Sequence, residues 1–146
     1  MAHSPRNMTS GFTLLEVLIA LVVFSFGLLA LATLMAKGLQ YNTSALHRSY
    51  ASSQAYDIAD RVRANRDGVY TDTSDTDSDP GCLSSGCNSD EMRRFDLWQW
   101  NETNAAVLPG GSGTVTFASP IYTVTITWDD DRDGQADDSF EFTFRP

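Results

Sequence analysis

The amino-acid sequence predicts an α+β fold in which a long N-terminal helix packs on a small antiparallel sheet, with one extra short helix. Two patterns favour this class. An uncharged apolar run, Val17 to Ala36, leads into a polar segment with helical periodicity, and the C-terminal part alternates apolar and polar residues. The length of 146 residues suits one small domain rather than a two-domain enzyme.

The acidic residues are concentrated in the second half of the chain. Residues 1–66 contain six Lys and Arg against three Asp and Glu, whereas residues 67–146 contain four against sixteen, and the net charge is −9. A phosphate backbone would repel so acidic a segment, which argues against a nucleic-acid partner. His3 and His47 do not fall in any pattern of nucleophile, base and orienting group, so no enzyme active site is expected.

The apolar run is long enough to cross a bilayer. Its twenty residues contain no charge, and at about 1.5 Å per residue they span a hydrocarbon core of roughly 30 Å. A cleaved secretory signal would have a shorter apolar region followed by its cleavage site, so we expect a single membrane span instead. Glu16 interrupts the apolar stretch that begins at Phe12, and an acid at such a depth usually marks function.

Residues 11–16 read GFTLLE and directly precede the apolar run. This segment resembles the processing motif of the type IV pilin and pseudopilin superfamily. The resemblance implies that prepilin peptidase cuts between Gly11 and Phe12, and that the new amine of Phe12 is N-methylated. It also implies that the Glu16 carboxylate neutralises this amine, in its own subunit or a neighbouring one, within the apolar filament core. Such pairing agrees with the cost of a lone charge in hydrocarbon.

The first helix is predicted to run from Phe12 to about Arg66. Beyond the membrane segment it keeps a stripe of apolar residues at spacings of three and four, namely Ala51, Ala55, Ile58, Ala59 and Val62. Together with the resemblance, this helix implies a leader (1–11), a transmembrane or filament-core half-helix (12–36), a soluble half-helix (37–66) and a periplasmic head (67–146).

The head is expected to begin with a solvated loop from Asp67 to Gly81, because this segment is rich in Asp and Ser. Cys82 and Cys87 follow. Their spacing is not that of a Cys-x-x-Cys redox motif, and the chain has no second cysteine pair for zinc. If the head lies in the periplasm, a structural disulfide is the better prediction.

A second helix is predicted to start within Asn88-Ser89-Asp90-Glu91, with a Ser or Asn cap and acids in its first turn, and to run to about Val107. Within it we place Phe95 and Trp98 in the core and expect Trp100 to be an exposed contact. Three antiparallel strands follow, each with one face buried on the Ala51–Val62 stripe. Their alternating apolar residues are Val115 and Phe117, then Tyr122, Val124, Ile126 and Trp128, and finally Phe140, Phe142 and Phe144.

Residues 129–138 read DDDRDGQADD between the last two strands. Alternate acids around a glycine are typical of a calcium loop, and the candidate ligands are Asp129, Asp131, Asp133, the Gln135 carbonyl and Asp137. The bidentate Glu of an EF-hand is missing, because Phe140 stands at the twelfth position. The alternative is a solvated hairpin tip whose charges prevent edge aggregation. Both interpretations stay open, and calcium is the one cofactor that the sequence suggests.

Four further segments narrow the resemblance to minor pilins of the PilV type. They are residues 55–66 (AYDIADRVRANR), 95–101 (FDLWQWN), 108–113 (LPGGSG) and 125–128 (TITW). The resemblance implies a lollipop-shaped pilin fold. It also implies a place in the minor-pilin complex that initiates a type IV pilus or forms its tip, with roles in pilus biogenesis, twitching motility and adhesion.

The same resemblance implies the partners and the location. The partners are prepilin peptidase, other minor pilins, the major pilin, the inner-membrane assembly platform and a large tip adhesin. The protein would sit in the inner membrane with a periplasmic head, and after assembly in the cell-surface pilus. Two alternatives remain: a pseudopilin of a type II secretion system, which shares the N-terminal motif, and a membrane-tethered, calcium-dependent binding module.

Overall fold

The computed structural model describes residues 11–71, 73 and 76–146. Residues 1–10 of the expected leader lie outside this description. The order of elements confirms the α+β prediction of one long N-terminal helix, a short extra helix and a small antiparallel sheet. The elements are α1 (Leu14–Ala64), α2 (Cys82–Ser85), α3 (Ser89–Val107), β1 (Ser112–Ala118), β2 (Ile121–Trp128) and β3 (Asp138–Phe144).

The chain forms two units, Met1–Tyr41 and Asn42–Pro146, and α1 contributes to both. In the first unit the apolar side chains of α1 are exposed along the described length, residues 14–41. By length and composition, α1 is able to cross a membrane. The first unit therefore has the properties of an apolar segment that needs an apolar surrounding.

In the second unit the three strands form one antiparallel sheet in the order β1-β2-β3. Val124 of the central strand pairs with Val115 on one side and with Phe142 on the other. Val124, Ile126 and Trp128 are fully buried, as a period of two predicts for a strand with one face on the core.

The predicted stripe on α1 forms one wall of the core. Ala51, Ala55, Ile58 and Ala59 are fully buried and Val62 nearly so, which confirms the helical periodicity. Other buried residues of the same cluster come from the loop after α1, from α3 and from the sheet: Tyr70, Leu97, Trp100, Leu108, Val115, Val124, Ile126, Trp128 and Phe144.

The prediction of a wholly buried sheet face is wrong for parts of the two outer strands. Phe117 is 48% exposed, and Phe140 and Phe142 are only partly buried. Phe117 instead packs against the neighbouring Tyr122, with ring centroids 4.5 Å apart and the rings tilted by 38°. The two outer strands carry these rings, so these strands are only partly covered, although Val115 and Phe144 on them are buried.

The start of α3 is as predicted. The Asn88 side chain accepts hydrogen bonds from the N–H groups of Asp90 and Glu91, and the Glu91 carboxylate accepts one from the Asn88 N–H. This reciprocal capping satisfies N–H groups that the first helical turn leaves without partners.

The prediction for the tryptophans of α3 is wrong. Trp100 is fully buried, whereas Trp98 is only half-buried. The Trp100 ring lies over Gly113 of β1, where a Cβ atom would come within 2.2 Å of it. Its indole N–H donates to the Gln54 carbonyl of α1 at 2.9 Å. Trp100 therefore joins α1, α3 and the sheet.

The loop after α1 is not solvated throughout, because Tyr70 is fully buried. Its hydroxyl donates to the Asp96 carboxylate, which also accepts from Arg61 at 3.2 Å. Burial, and next the hydrogen bond to Asp96, raise the pKa of Tyr70 above its ordinary value. Tyr70 thus anchors this part of the loop between α1 and α3.

Candidate processing motif and acidic hairpin

The predicted cleavage site lies just outside α1. The Thr13 hydroxyl accepts from the Glu16 N–H at 3.2 Å, and the Thr13 carbonyl accepts from the N–H groups of Glu16 and Val17 at 3.1 and 3.2 Å. Thr13 thereby acts as the helix N-cap. The bond between Gly11 and Phe12 precedes this cap, so it takes no part in helical hydrogen bonding and a peptidase could reach it.

Phe12 and Glu16 lie four residues apart at the start of the apolar segment. Phe12 is 83% exposed, and Glu16 is also exposed. The Glu16 carboxylate makes no hydrogen bond or ion pair with any residue that the structure describes. It is therefore available to a cation from outside the described residues.

Residues 6–32 match the family model described as the prokaryotic N-terminal methylation motif. The matched stretch includes the Gly11–Phe12 bond, Glu16 and the first part of α1. With the α+β fold, the match supports a type IV pilin-like protein, a substrate of prepilin peptidase with a structural rather than enzymatic role. It also fits an inner-membrane-anchored precursor. No curated protein and no solved structure matches the chain.

The connection between β2 and β3 gathers three of the predicted calcium ligands. Carboxylate oxygens of Asp129, Asp131 and Asp133 lie within 4.8 Å of one another. The Asp133 N–H donates to Asp129 and Asp131 at 3.1 and 3.2 Å, and the Gly134 N–H donates to Asp129 at 2.8 Å. Gly134 has φ +93°, a backbone conformation that glycine adopts without strain.

The other two predicted ligands do not join this group. Asp137 is not among the clustered carboxylates, and the Gln135 carbonyl already accepts the Asp137 N–H at 3.0 Å. Calcium usually takes six to eight oxygens, more than three monodentate carboxylates supply. Calcium binding therefore stays a prediction.

The clustered charges affect the titration of the hairpin. The hydrogen bond from the Asp133 N–H lowers the pKa of Asp131, but the charge of Asp133, desolvation and the charges of Asp137 and Asp129 outweigh it, and the pKa is raised overall. A bound cation would relieve this repulsion.

Sequence reasoning missed the residues that fasten the hairpin to α1. The Asp130 carboxylate accepts from the Ser44 hydroxyl, lies 2.6 Å from His47 Nδ1 and accepts from the Trp128 indole N–H at 3.3 Å. Burial raises the pKa of Asp130, but the hydrogen bonds from Ser44, His47 and Trp128 outweigh it, so the pKa is lowered overall. Their helical spacing could have indicated them, because Ser44 and His47 extend the buried stripe of Ala51 towards the N-terminus at intervals of three and four residues.

Ser44, His47 and Asp130 do not form a catalytic triad. In a triad the imidazole accepts the serine proton, whereas here both the Ser44 hydroxyl and the His47 ring bind Asp130. Their arrangement instead fixes the first residues of the hairpin against the helix.

Cys82 and Cys87 form a disulfide that encloses α2. The Cys82 sulfur lies 3.6 Å from the Glu91 carbonyl, so the bridge sits beside the first turn of α3. The stabilising role expected for this disulfide stays a prediction.

Proposed function

We propose that the protein is a minor pilin of a type IV pilus. Prepilin peptidase cuts between Gly11 and Phe12, Phe12 is N-methylated, and the apolar part of α1 holds the precursor in the inner membrane. The observation that carries this proposal is the GFTLLE segment, capped at Thr13 and followed at once by an exposed apolar helix.

The role proposed for Glu16 follows from electrostatics. An acid at the centre of a membrane helix costs about 2.5–3.5 kcal/mol on insertion scales, which is an upper limit for Glu16 in the first turn of α1. The amine created at Phe12 is the nearest complementary charge along the chain, and pairing the two charges offsets this cost. The same pairing between neighbouring subunits would fix their stagger in a filament.

The place of the protein in the pilus rests on the resemblance of its head segments to minor pilins. We propose that it joins other minor pilins and the major pilin at the assembly platform. The complex initiates the filament or sits at its tip with a large adhesin, which brings the head to the cell surface. A pseudopilin of a type II secretion system is the second candidate, because it shares the N-terminal motif.

Mass spectrometry of the mature N-terminus tests processing. We expect a chain that starts at N-methylated Phe12 and lacks residues 1–11. Gly11→Val should leave the precursor uncut, because a branched side chain takes the place of glycine at the cleaved bond. Gly27→Ala is the matched control and should be processed normally. A mature chain that retains Met1, or that starts within residues 30–36, would contradict the proposal.

Deletion of the gene separates the two candidates. Loss of twitching motility with normal release of secreted proteins supports the pilus. Loss of secretion with normal twitching would assign the protein to the secretion system.

A further inference from the structure

Strand β3 has an open edge. It pairs with β2 on one side, and no strand of the described part of the chain lies on the other. Within residues 11–71, 73 and 76–146, no backbone group of β3 forms a hydrogen bond away from β2. Every second residue of an edge strand directs its N–H and C=O outward, so β3 offers a row of unpaired donors and acceptors.

The opposite edge of the sheet is partly covered. Asn101 of α3 accepts from the Gly113 N–H of β1 at 2.7 Å and donates to the Gly113 carbonyl at 3.3 Å. These two bonds replace the backbone hydrogen bonds that a neighbouring strand would form with Gly113. The contrast makes β3 the edge that is available for pairing.

Helix α1 runs beside β3 and adds apolar surface to the open edge. Arg48 contacts Asp138 near the start of the strand, at 3.4 Å. Farther along, the rings of Tyr56 and Phe142 lie with centroids 4.6 Å apart. Tyr56 is 53% exposed and Phe142 is partly buried, so an added strand could cover both rings.

We propose that the open edge of β3 is a docking site for an extended segment of a partner protein. The segment pairs as a fourth strand, its apolar side chains contact Tyr56 and Phe142, and a basic side chain lies opposite Glu141. In strand addition, backbone hydrogen bonds supply affinity and alternate side chains supply specificity. The inference goes beyond the proposed function and does not depend on cleavage or membrane insertion.

Glu141 favours a basic side chain at the position that faces it and disfavours full overlap with a second copy of the chain. It is exposed at the middle of the seven-residue strand. In an antiparallel pair of two β3 strands, full overlap would place Asp138 opposite Phe144 and Glu141 opposite Glu141. Like charges directly opposite each other destabilise strand pairing, whereas opposite charges stabilise it.

Peptide binding to the full-length chain in detergent micelles tests the proposal. The probe is a labelled nine-residue peptide of alternating threonine and valine with lysine at its central position. Its matched control has glutamate there. We expect fluorescence anisotropy to show tighter binding of the lysine peptide, by about fivefold, the upper range for one cross-strand charge pair. Bound peptide should also slow amide hydrogen exchange in β3.

Variants of the chain separate edge pairing from nonspecific attraction. Glu141→Lys should reverse the preference and bind the glutamate peptide more tightly. Glu102→Lys makes the same charge change at an exposed site on α3 and should leave the preference unchanged. Tyr56→Ser should weaken both peptides several-fold. Circular dichroism should confirm that each variant is folded.

Three results would overturn the proposal. The first is equal binding of both peptides to the parent chain, and the second is equal loss of preference in Glu141→Lys and Glu102→Lys. The third is dimerisation of the parent chain with protection of the β3 amides in the absence of peptide, since this would make a second copy the occupant.

Discussion

Nδ1 of His47 on α1 lies 2.6 Å from a carboxylate oxygen of Asp130, at the start of the acidic hairpin. Ser44 and Trp128 also donate to this carboxylate. Both His47 and the Asp130 side chain are largely buried, so this contact satisfies polar atoms that have little access to water. The contact makes the position of the hairpin dependent on α1.

Replacing Asp130 should destabilise the head. Asp130→Ala removes the acceptor for Ser44, His47 and Trp128, and loss of a buried hydrogen-bond partner costs about 1–3 kcal/mol. Urea unfolding of the full chain in detergent, followed by tryptophan fluorescence, measures the change. Asp67→Ala is the control, since Asp67 is exposed in the loop after α1; an equal loss in both variants would contradict the role of Asp130.

The effect of Asp130→Ala should depend on pH. The folded state lowers the pKa of Asp130 below its usual 3.8, so the ionised carboxylate stabilises the fold above this value and the stabilisation disappears as the pH falls through the folded pKa. The difference in unfolding free energy between parent and variant should therefore be larger at neutral pH than at about pH 2. A difference independent of pH would exclude the ionised carboxylate as its source.

Gly113→Ala should be strongly destabilising. The added Cβ would lie 2.2 Å from the Trp100 ring, which is fully buried and cannot move aside without disturbing α3. Overpacking of this kind typically costs about 1–3 kcal/mol. Gly27→Ala is the control, because nothing lies within 4 Å of that site and alanine favours a helix by up to about 1 kcal/mol. A Gly113→Ala variant that melts at the parent temperature would contradict the packing of Trp100.

The elements that sequence could predict are those that periodicity determines. The stripe from Ala51 to Val62 and the three strands follow from spacings of three to four and of two. Periodicity states which residues share a face, but not which face meets the core. Trp100 was therefore misplaced, because its burial depends on the space above Gly113, which is distant in sequence.

Among the candidate sites, the one built from neighbouring residues could be predicted and those built from residues distant in sequence could not. The motif at Gly11, Phe12 and Glu16 is contiguous, so sequence alone was sufficient to find it. The cluster around Asp130 was missed because its partners Ser44 and His47 lie more than eighty residues away. Tyr70 was missed because the acidic loop around it predicted exposure, while its partner Asp96 comes from another helix.

Tyr70→Phe should cost about 1–3 kcal/mol, because it removes a buried donor from the Asp96 carboxylate. The exposed Tyr50→Phe is the control and should change stability little. Because the folded state raises the pKa of Tyr70, its contribution to stability is complete below the unfolded pKa near 10 and is lost as the pH rises through the folded value. The unfolding free energies of parent and variant should consequently converge in strongly alkaline solution. Urea unfolding at a series of alkaline pH values measures this difference. A difference that grows with pH would refute the argument.

Asp131→Asn should raise the melting temperature at neutral pH in the absence of divalent cations. The folded state raises the pKa of Asp131, so its ionisation above the unfolded pKa opposes folding, and an amide keeps the acceptor without the charge. Asp67→Asn makes the same change in net charge away from the hairpin and should have a smaller effect.

Calcium binding predicts that millimolar calcium raises the melting temperature of the parent more than that of Asp131→Asn, because the variant loses a ligand charge. Calorimetry with no calcium-dependent heat, together with melting temperatures unchanged by the ion, would leave the hairpin as a solvated tip.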